Sequence, residues 1–252
     1  MLQTFSNLEA LSQAAAALFA RLAAVAVKSR GRFSVALSGG STPRRTYEIL
    51  AQPPFREEVP WNRIHVFWGD ERCVPPSDPR SNTLMARKAW LDQVPVPQTQ
   101  IHPISCQLDP GAGAREYESL LRDFFGSSPP CLDLVLLGLG KDGHTASLFP
   151  DNPALRERER WTATVQVPGE DIHRVTLTPV LINRAAAVAF LAAGAAKAGA
   201  LREVLQGPRG PLRLPAQVIN PDQGELYWLV DREAAKEITI RHRDTEAKRP
   251  RE

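Results

Sequence analysis

The chain has 252 residues, 43% of them hydrophobic and 23% charged, enough to bury a large core in one α/β domain or two smaller ones. Its net charge of +3 is small and scattered, which excludes the clustered basic face of a nucleic-acid binder. The one basic cluster, Lys248-Arg249-Pro250-Arg251, reads as a solvated tail.

Three cysteines, Cys73, Cys106 and Cys131, are odd in number and widely spaced. Without C-x2-C spacing they fit free thiols in a reduced compartment better than a disulfide framework. The opening MLQTFSNLEA lacks a basic region before an apolar run, which argues against a secretory signal. The apolar tract 185–196 is short, rich in Ala and Gly, and too weak for a membrane span. A soluble, cytoplasmic protein is expected, with no membrane partner.

Taken in order, residues 7–30 predict a helix with Asn7 as N-cap and Gly31 as its stop. Residues 33–37 predict a strand that empties into Ser38-Gly39-Gly40-Ser41-Thr42-Pro43. A helix over 44–50 follows, with Thr42 as cap and Pro43 at its first position. Such a turn aims free N–H groups and a helix N-terminus at one point, which suits an anion. The same residues also make an ordinary strand-to-helix connection, and spacing alone does not choose.

Residues 64–68 predict a second strand, ending in Gly69-Asp70-Glu71-Arg72. His65, inside it, reads as a packed histidine. A proline-rich loop then leads to a helix starting at Ser81 or Asn82 and running to Trp90; 101–104 reads as a short strand and 114–125 as a helix. Residues 132–139 form the most apolar strand pattern, broken by Gly138-Leu139-Gly140-Lys141-Asp142-Gly143-His144. Strands are expected at 161–167 and 174–177, a short helix to 184, a buried strand at 186–192, a helix at 194–205 with Lys197 in its first turn, and a last strand at 227–230. A lysine in a first helical turn opposes the helix dipole unless an anion sits nearby.

Strands alternating with helices predict an α/β protein with a parallel sheet covered on both faces; the pair at 161–177, with no helix between, predicts a small antiparallel addition. In a parallel sheet all strand C-termini share one edge, where ligands bind. Ser38 to Thr42, Asp70 to Arg72 and Gly138 to His144 should therefore converge on one cleft, with Arg174 and Lys197 as further cations. His144 can act as a base towards water, Asp142 or Asp70 can orient an imidazole or act as a carboxylate base, and Arg72 can stabilise an oxyanion. No G-x-S-x-G elbow and no P-loop occur. Gly138, Gly140 and Gly143 satisfy G-x-G-x-x-G, but Asp-Gly-His-Thr is atypical for a dinucleotide fingerprint.

The segments Ser38 to Pro43, Trp68 to Arg72 and Gly138 to Pro150, supported by Arg174 to Thr178, Gly194 to Lys197 and Leu226 to Asp231, resemble the 6-phosphogluconolactonase family over about residues 5–235. The resemblance implies hydrolysis of 6-phospho-D-glucono-1,5-lactone to 6-phosphogluconate, the second step of the oxidative pentose phosphate pathway. It implies no metal and no organic cofactor. It also implies a three-layer, mostly parallel, modified Rossmann-like sheet with helices on both faces, shared with glucosamine-6-phosphate deaminase. A single domain over 1–235 and a disordered charged tail over 236–252 are expected. The unit would be a monomer or weak homo-oligomer, at most loosely associated with glucose-6-phosphate dehydrogenase. By the resemblance His144 activates water and Asp142 supports its loop. Gly39, Gly40, Ser41, Thr42, Arg174 and Lys197 hold the 6-phosphate, Arg72 sits near the phosphate or the lactone oxygens, and Arg72 and Asp70 are counted with the catalytic residues.

Two other readings compete. In a glucosamine-6-phosphate isomerase/deaminase an aspartate matching Asp70 would move a proton between C1 and C2, but the residues after Asp70 and after His144 do not follow the deaminase pattern. A non-catalytic sugar-phosphate sensor would keep the anion turn and lose the base, whereas His144 is present.

Overall fold

Apolar runs without polar alternation become strands buried on both sides. The computed structural model describes residues 1–167 and 169–239. The first half of the chain comprises β1 (Leu2–Phe5), α1 (Leu8–Arg30), β2 (Phe33–Leu37), α2 (Ser41–Leu50), α3 (Phe55–Glu58), β3 (Ile64–Trp68), β4 (Asp70–Arg72), α4 (Asn82–Ala86) and α5 (Pro110–Phe125). The second comprises β5 (Leu134–Gly138), β6 (Thr162–Gln166), β7 (His173–Leu177), α6 (Pro179–Ile182), β8 (Ala187–Ala192), α7 (Ala198–Gln206), β9 (Glu225–Asp231) and α8 (Arg232–Ala235). A six-stranded sheet runs β1-β9-β8-β5-β2-β3 with every pair parallel. Every residue of β2 and β8 is buried, so both faces of the sheet centre are covered. A three-stranded antiparallel sheet, β4-β7-β6, stands beside it.

The helix α1 has the length and apolar content to cross a bilayer. Its small and aromatic side chains face protein instead, with Leu11, Ala15, Ala16, Phe19, Ala23 and Ala26 buried. The Asn7 side chain accepts a hydrogen bond from the Ala10 N–H (2.9 Å) at its start, and Gly31 caps its end.

Several expectations are corrected. The helix after β2 starts at Ser41, and its N-cap is Gly40 with no side-chain cap, so Thr42 lies inside the first turn. Pro43, lacking an N–H, fits there because first-turn N–H groups have no partner within the helix. The charged run Asp70 to Arg72 is a strand, not a loop end, because β3 leaves the large sheet at Gly69 and re-pairs with β7. The expected strand at 101–104 is reduced to a single bridge, Val66 to Ile101. The strand β1 has no signal in its four residues; it forms because β9 offers an edge, in register from Leu2↔Trp228 to Phe5↔Asp231. Cys73 and Cys106 form a disulfide, against the expectation of free thiols, while Cys131 is free and exposed. A separation of 33 residues gives no hint of the pairing; the fold brings the loop after β4 beside the segment before α5. Beyond α8, Thr239 exchanges two hydrogen bonds with the Gln206 side chain, and the rest of the expected tail, 240–252, lies outside the described residues. The basic cluster at 248–251 lies outside the described residues.

The sheet opens where strands stop pairing. From β2 the chain moves to β3 on one side, while β5 leads to β8 and β9 on the other, so connections diverge at the β2–β5 boundary. Two buried tyrosines take over the backbone groups released there. Tyr47 Oη donates to the Ser38 carbonyl (2.9 Å) and accepts from its N–H (3.0 Å). Tyr117 Oη does the same at Trp68, accepting at 2.8 Å and donating at 3.1 Å. Burial pushes both phenols well above their ordinary pKa, so both remain protonated donors. Tyr47→Phe should leave two buried backbone groups unpaired and lower the unfolding free energy by about 1–3 kcal/mol, read as a lower urea midpoint with unchanged slope. An unchanged midpoint would show that the hydroxyl carries no such load.

Candidate active site

The strand ends line a cleft of about 510 Å³, within the usual range for small-molecule sites. Gly39, Gly40, Ser41 and Thr42 come from the β2–α2 turn, Asp70 and Arg72 from β4, Asp142 and His144 from the loop after β5, Arg174 from β7, and Lys197 from the turn after β8. Every one of these sequence-nominated residues lines this one cleft. His65 does not; it stacks on His102 and packs against Phe124, and burial, with the charges of His102 and Arg32, pushes its pKa down to about 4.

The loop after β5 is closed by its own backbone. The Gly140 N–H donates to the His144 carbonyl (2.8 Å), and the Thr145 hydroxyl donates to the Gly138 carbonyl (2.8 Å). A Cβ on Gly140 would lie 2.1 Å from His144 Nδ1, so the imidazole occupies space only glycine leaves free. Asp142 Oδ1 sits 2.5 Å from His144 Nδ1 and also accepts the His144 backbone N–H at 3.2 Å. That contact puts the ring proton on Nδ1 and leaves Nε2 as the basic nitrogen. Partial burial would raise the Asp142 pKa, but the His144 charge and its two hydrogen bonds outweigh this and hold it below the ordinary carboxylate range. The imidazole packs on Phe149 (4.4 Å between centroids), whose ring also lies 5.2 Å from the Arg174 guanidinium.

Asp70 is buried at 4% exposure, yet it lines the cleft. Its Oδ2 accepts from Ser147 Oγ (2.7 Å) and its Oδ1 from Asn82 Nδ2 (3.2 Å). Ser147 follows Ala146, a non-glycine residue at φ 48°; such left-handed backbone is uncommon and clusters at functional sites.

Positive charge is concentrated in the cleft. Arg72 and Arg174 are direct cross-strand partners in the β4–β7 pair, an arrangement of like charges that is destabilising without a counter-ion. The Arg72 and Arg174 Nε atoms are both buried without a hydrogen-bond partner among the described residues. Arg174 Nη2 reaches Glu170 (2.7 Å), and Arg72 Nη1 donates to the Arg80 carbonyl (2.8 Å). Across the cleft, burial and the charge of Lys141 pull the Lys197 pKa below that of an ordinary lysine, opposed by Asp142. The first-turn N–H groups of α2 face the same space from Ser41 and Thr42. Among the described residues no cluster of three or more His, Cys, Asp and Glu side chains could hold a metal ion.

Beyond the predicted segments, the cleft is also lined by Asn82, Thr145, Ala146 and Leu191. Thr145 and Ala146 directly follow His144 and were open to notice. Asn82, at the start of α4, follows Asp70 by twelve residues across a proline-rich loop and has no local signal.

The family model for glucosamine-6-phosphate isomerases and 6-phosphogluconolactonase matches residues 6–228. A 6-phosphogluconolactonase of Nostoc sp. is 47% identical over 219 residues, covering 85% of this chain and 88% of the relative. One of Synechocystis sp. is 48% identical over 217 residues, covering 84% and 88%. The solved structure of 6-phosphogluconolactonase from Trypanosoma brucei superposes with a TM-score of 0.83 at 27% identity, covering 95% of this chain and 98% of that one. With this match over most of its length, the chain belongs to the glucosamine-6-phosphate isomerase/6-phosphogluconolactonase family, and within it to the 6-phosphogluconolactonases.

Proposed function

We propose that the protein hydrolyses 6-phospho-D-glucono-1,5-lactone to 6-phosphogluconate, the lactone-opening step of the oxidative pentose phosphate pathway. The observation that carries this reading is the cleft's pairing of an anion-attracting wall with an oriented imidazole. Arg72 and Arg174 lie side by side with Nε donors that have no partner among the described residues, and His144 is fixed by Asp142 with Nε2 left basic. A substrate with a phosphate at one end and an electrophilic carbonyl at the other uses both.

In this reading the phosphate binds at the Gly39 to Thr42 turn with Arg174 and Lys197. Both cations come from outside the turn, so the anion draws three elements together. Holding the phosphate fixes the ring and lowers the entropic cost of attack, because binding energy remote from the reacting carbon orients that carbon. Nε2 of His144 takes a proton from water as its oxygen adds to the lactone carbonyl, and Asp142 stabilises the imidazolium that forms. Arg72 donates to the developing oxyanion. Collapse expels the ring oxygen, which takes back the proton, and the acid product loses its own proton to solvent. Asp70 accepts a hydrogen bond from a sugar hydroxyl and steadies the ring. The reading also carries the expectations of a monomer or weak homo-oligomer, of a cytoplasmic setting and of at most loose association with glucose-6-phosphate dehydrogenase.

Lactone hydrolysis is to be followed at controlled pH with spontaneous opening subtracted. His144→Ala should lower turnover by about 10²–10⁴-fold while inhibition by 6-phosphogluconate persists. Unchanged turnover would move the base elsewhere. Ammonia release from glucosamine 6-phosphate by the wild type would replace the lactonase reading with the deaminase one. Lys197→Ala should raise KM by about 10- to 100-fold, the worth of one charged hydrogen bond, with little change in kcat. A loss confined to kcat would contradict a phosphate role.

A further inference from the structure

We infer that Asn82 is a positioning residue for lactone hydrolysis, a strut that sets the Asp70 carboxylate at a fixed reach from the Gly39 turn; this rests on the lactonase reading above. Asn82 is 2% exposed and is the first residue of α4. Its Nδ2 donates to the Asp70 carbonyl (2.9 Å) and to Asp70 Oδ1 (3.2 Å), so one amide grips both backbone and side chain of the same residue. The other end of the amide presses on the anion turn: a Cβ built on Gly39 would lie 1.9 Å from Asn82 Oδ1. Gly39 is thus glycine because Asn82 stands where its side chain would be. The amide spans the cleft wall between the turn assigned to phosphate and the carboxylate assigned to the sugar ring.

The strut is itself anchored. Glu71, buried at 3% exposure, accepts the backbone N–H groups of Arg72 (2.8 Å), Asn82 (2.7 Å) and Thr83 (2.7 Å) and the Ser81 hydroxyl (3.0 Å). These bonds fasten the start of α4 to β4. On the far side of Asp70, Ser147 Oγ holds Oδ2. The carboxylate is gripped from both flanks, so it cannot rotate without losing a donor. Asn82 is not itself placed against the reacting carbon; it acts through Asp70.

Two substitutions separate the donor from the space it fills. Asn82→Asp keeps the shape and the oxygen against Gly39 but replaces the donor with a carboxyl facing Asp70. Asn82→Ala removes both. If Asn82 positions Asp70, Asn82→Asp should lower kcat at least as much as Asn82→Ala, by about 10²-fold as expected for a misplaced group. The inhibition constant of 6-phosphogluconate should rise far less than kcat falls. If Asn82 only fills space beside Gly39, Asn82→Asp restores wild-type kcat, which overturns the inference. Thermal unfolding of each variant is measured alongside; should Asn82→Ala not fold, Asn82→Asp decides alone. Should neither fold, Ser147→Ala tests the opposite grip, and a wild-type kcat there overturns the proposal. Absence of lactone turnover in the wild type would instead sink the lactonase reading, so the two failures are distinct.

Discussion

A parallel sheet opens a cleft only where neighbouring strands cease to bond, and each backbone N–H and C=O released there needs a new partner, since a buried unpaired group costs about 1–3 kcal/mol. That constraint shapes this molecule. At the end of β2 the partner is Tyr47, at the end of β3 it is Tyr117, and beyond Trp68 the Gly69 carbonyl takes the Leu177 N–H as the chain crosses into the second sheet. The end of β5 is closed by Thr145. Only with these groups satisfied by side chains and loops can the sheet edge remain open to a ligand.

The second constraint is charge. Cations line the cleft on two sides, Arg72 and Arg174 on the β4–β7 pair and Lys141 and Lys197 across from them, and the carboxylates that line it are engaged by neighbours: Asp142 by His144, Asp70 by Ser147 and Asn82. In the lactonase reading proposed above, a bound dianion would offset the repulsion between the two cross-strand arginines.

The strands of the large sheet are legible in the sequence because FSVAL, IHVFW, LVLLG and AVAFLA are apolar runs, broken only by Ser34 and His65, without the polar alternation of a half-exposed strand. The glycine turns at Gly39 and Gly140 are legible because a strand breaking into glycine and polar residues has few other uses. What escaped depends on tertiary partners. In β4 the residues Asp-Glu-Arg carry no strand propensity, and only pairing with β7 makes them one. Likewise β1 needs the edge of β9, and the Cys73–Cys106 bond needs two loops that meet only in the folded chain. Asn82 escaped for the same reason: its meaning lies in the two elements it spans, and neither is near it in sequence.

The disulfide has a further consequence for the cleft. Cys73 directly follows Arg72, and its partner Cys106 lies in the segment that leads into α5, against which Gly113 packs. One flank of the cleft is therefore cross-linked to the helix behind it and, through Glu71, clasped to the start of α4. The opposite flank, the loop carrying His144, is held by hydrogen bonds, from the Gly140 N–H to the His144 carbonyl and from the Ala216 N–H to the Gly143 carbonyl, and by packing of the imidazole on Phe149. The two flanks of the site are thus held by different means, a covalent cross-link beside Arg72 and non-covalent contacts around His144.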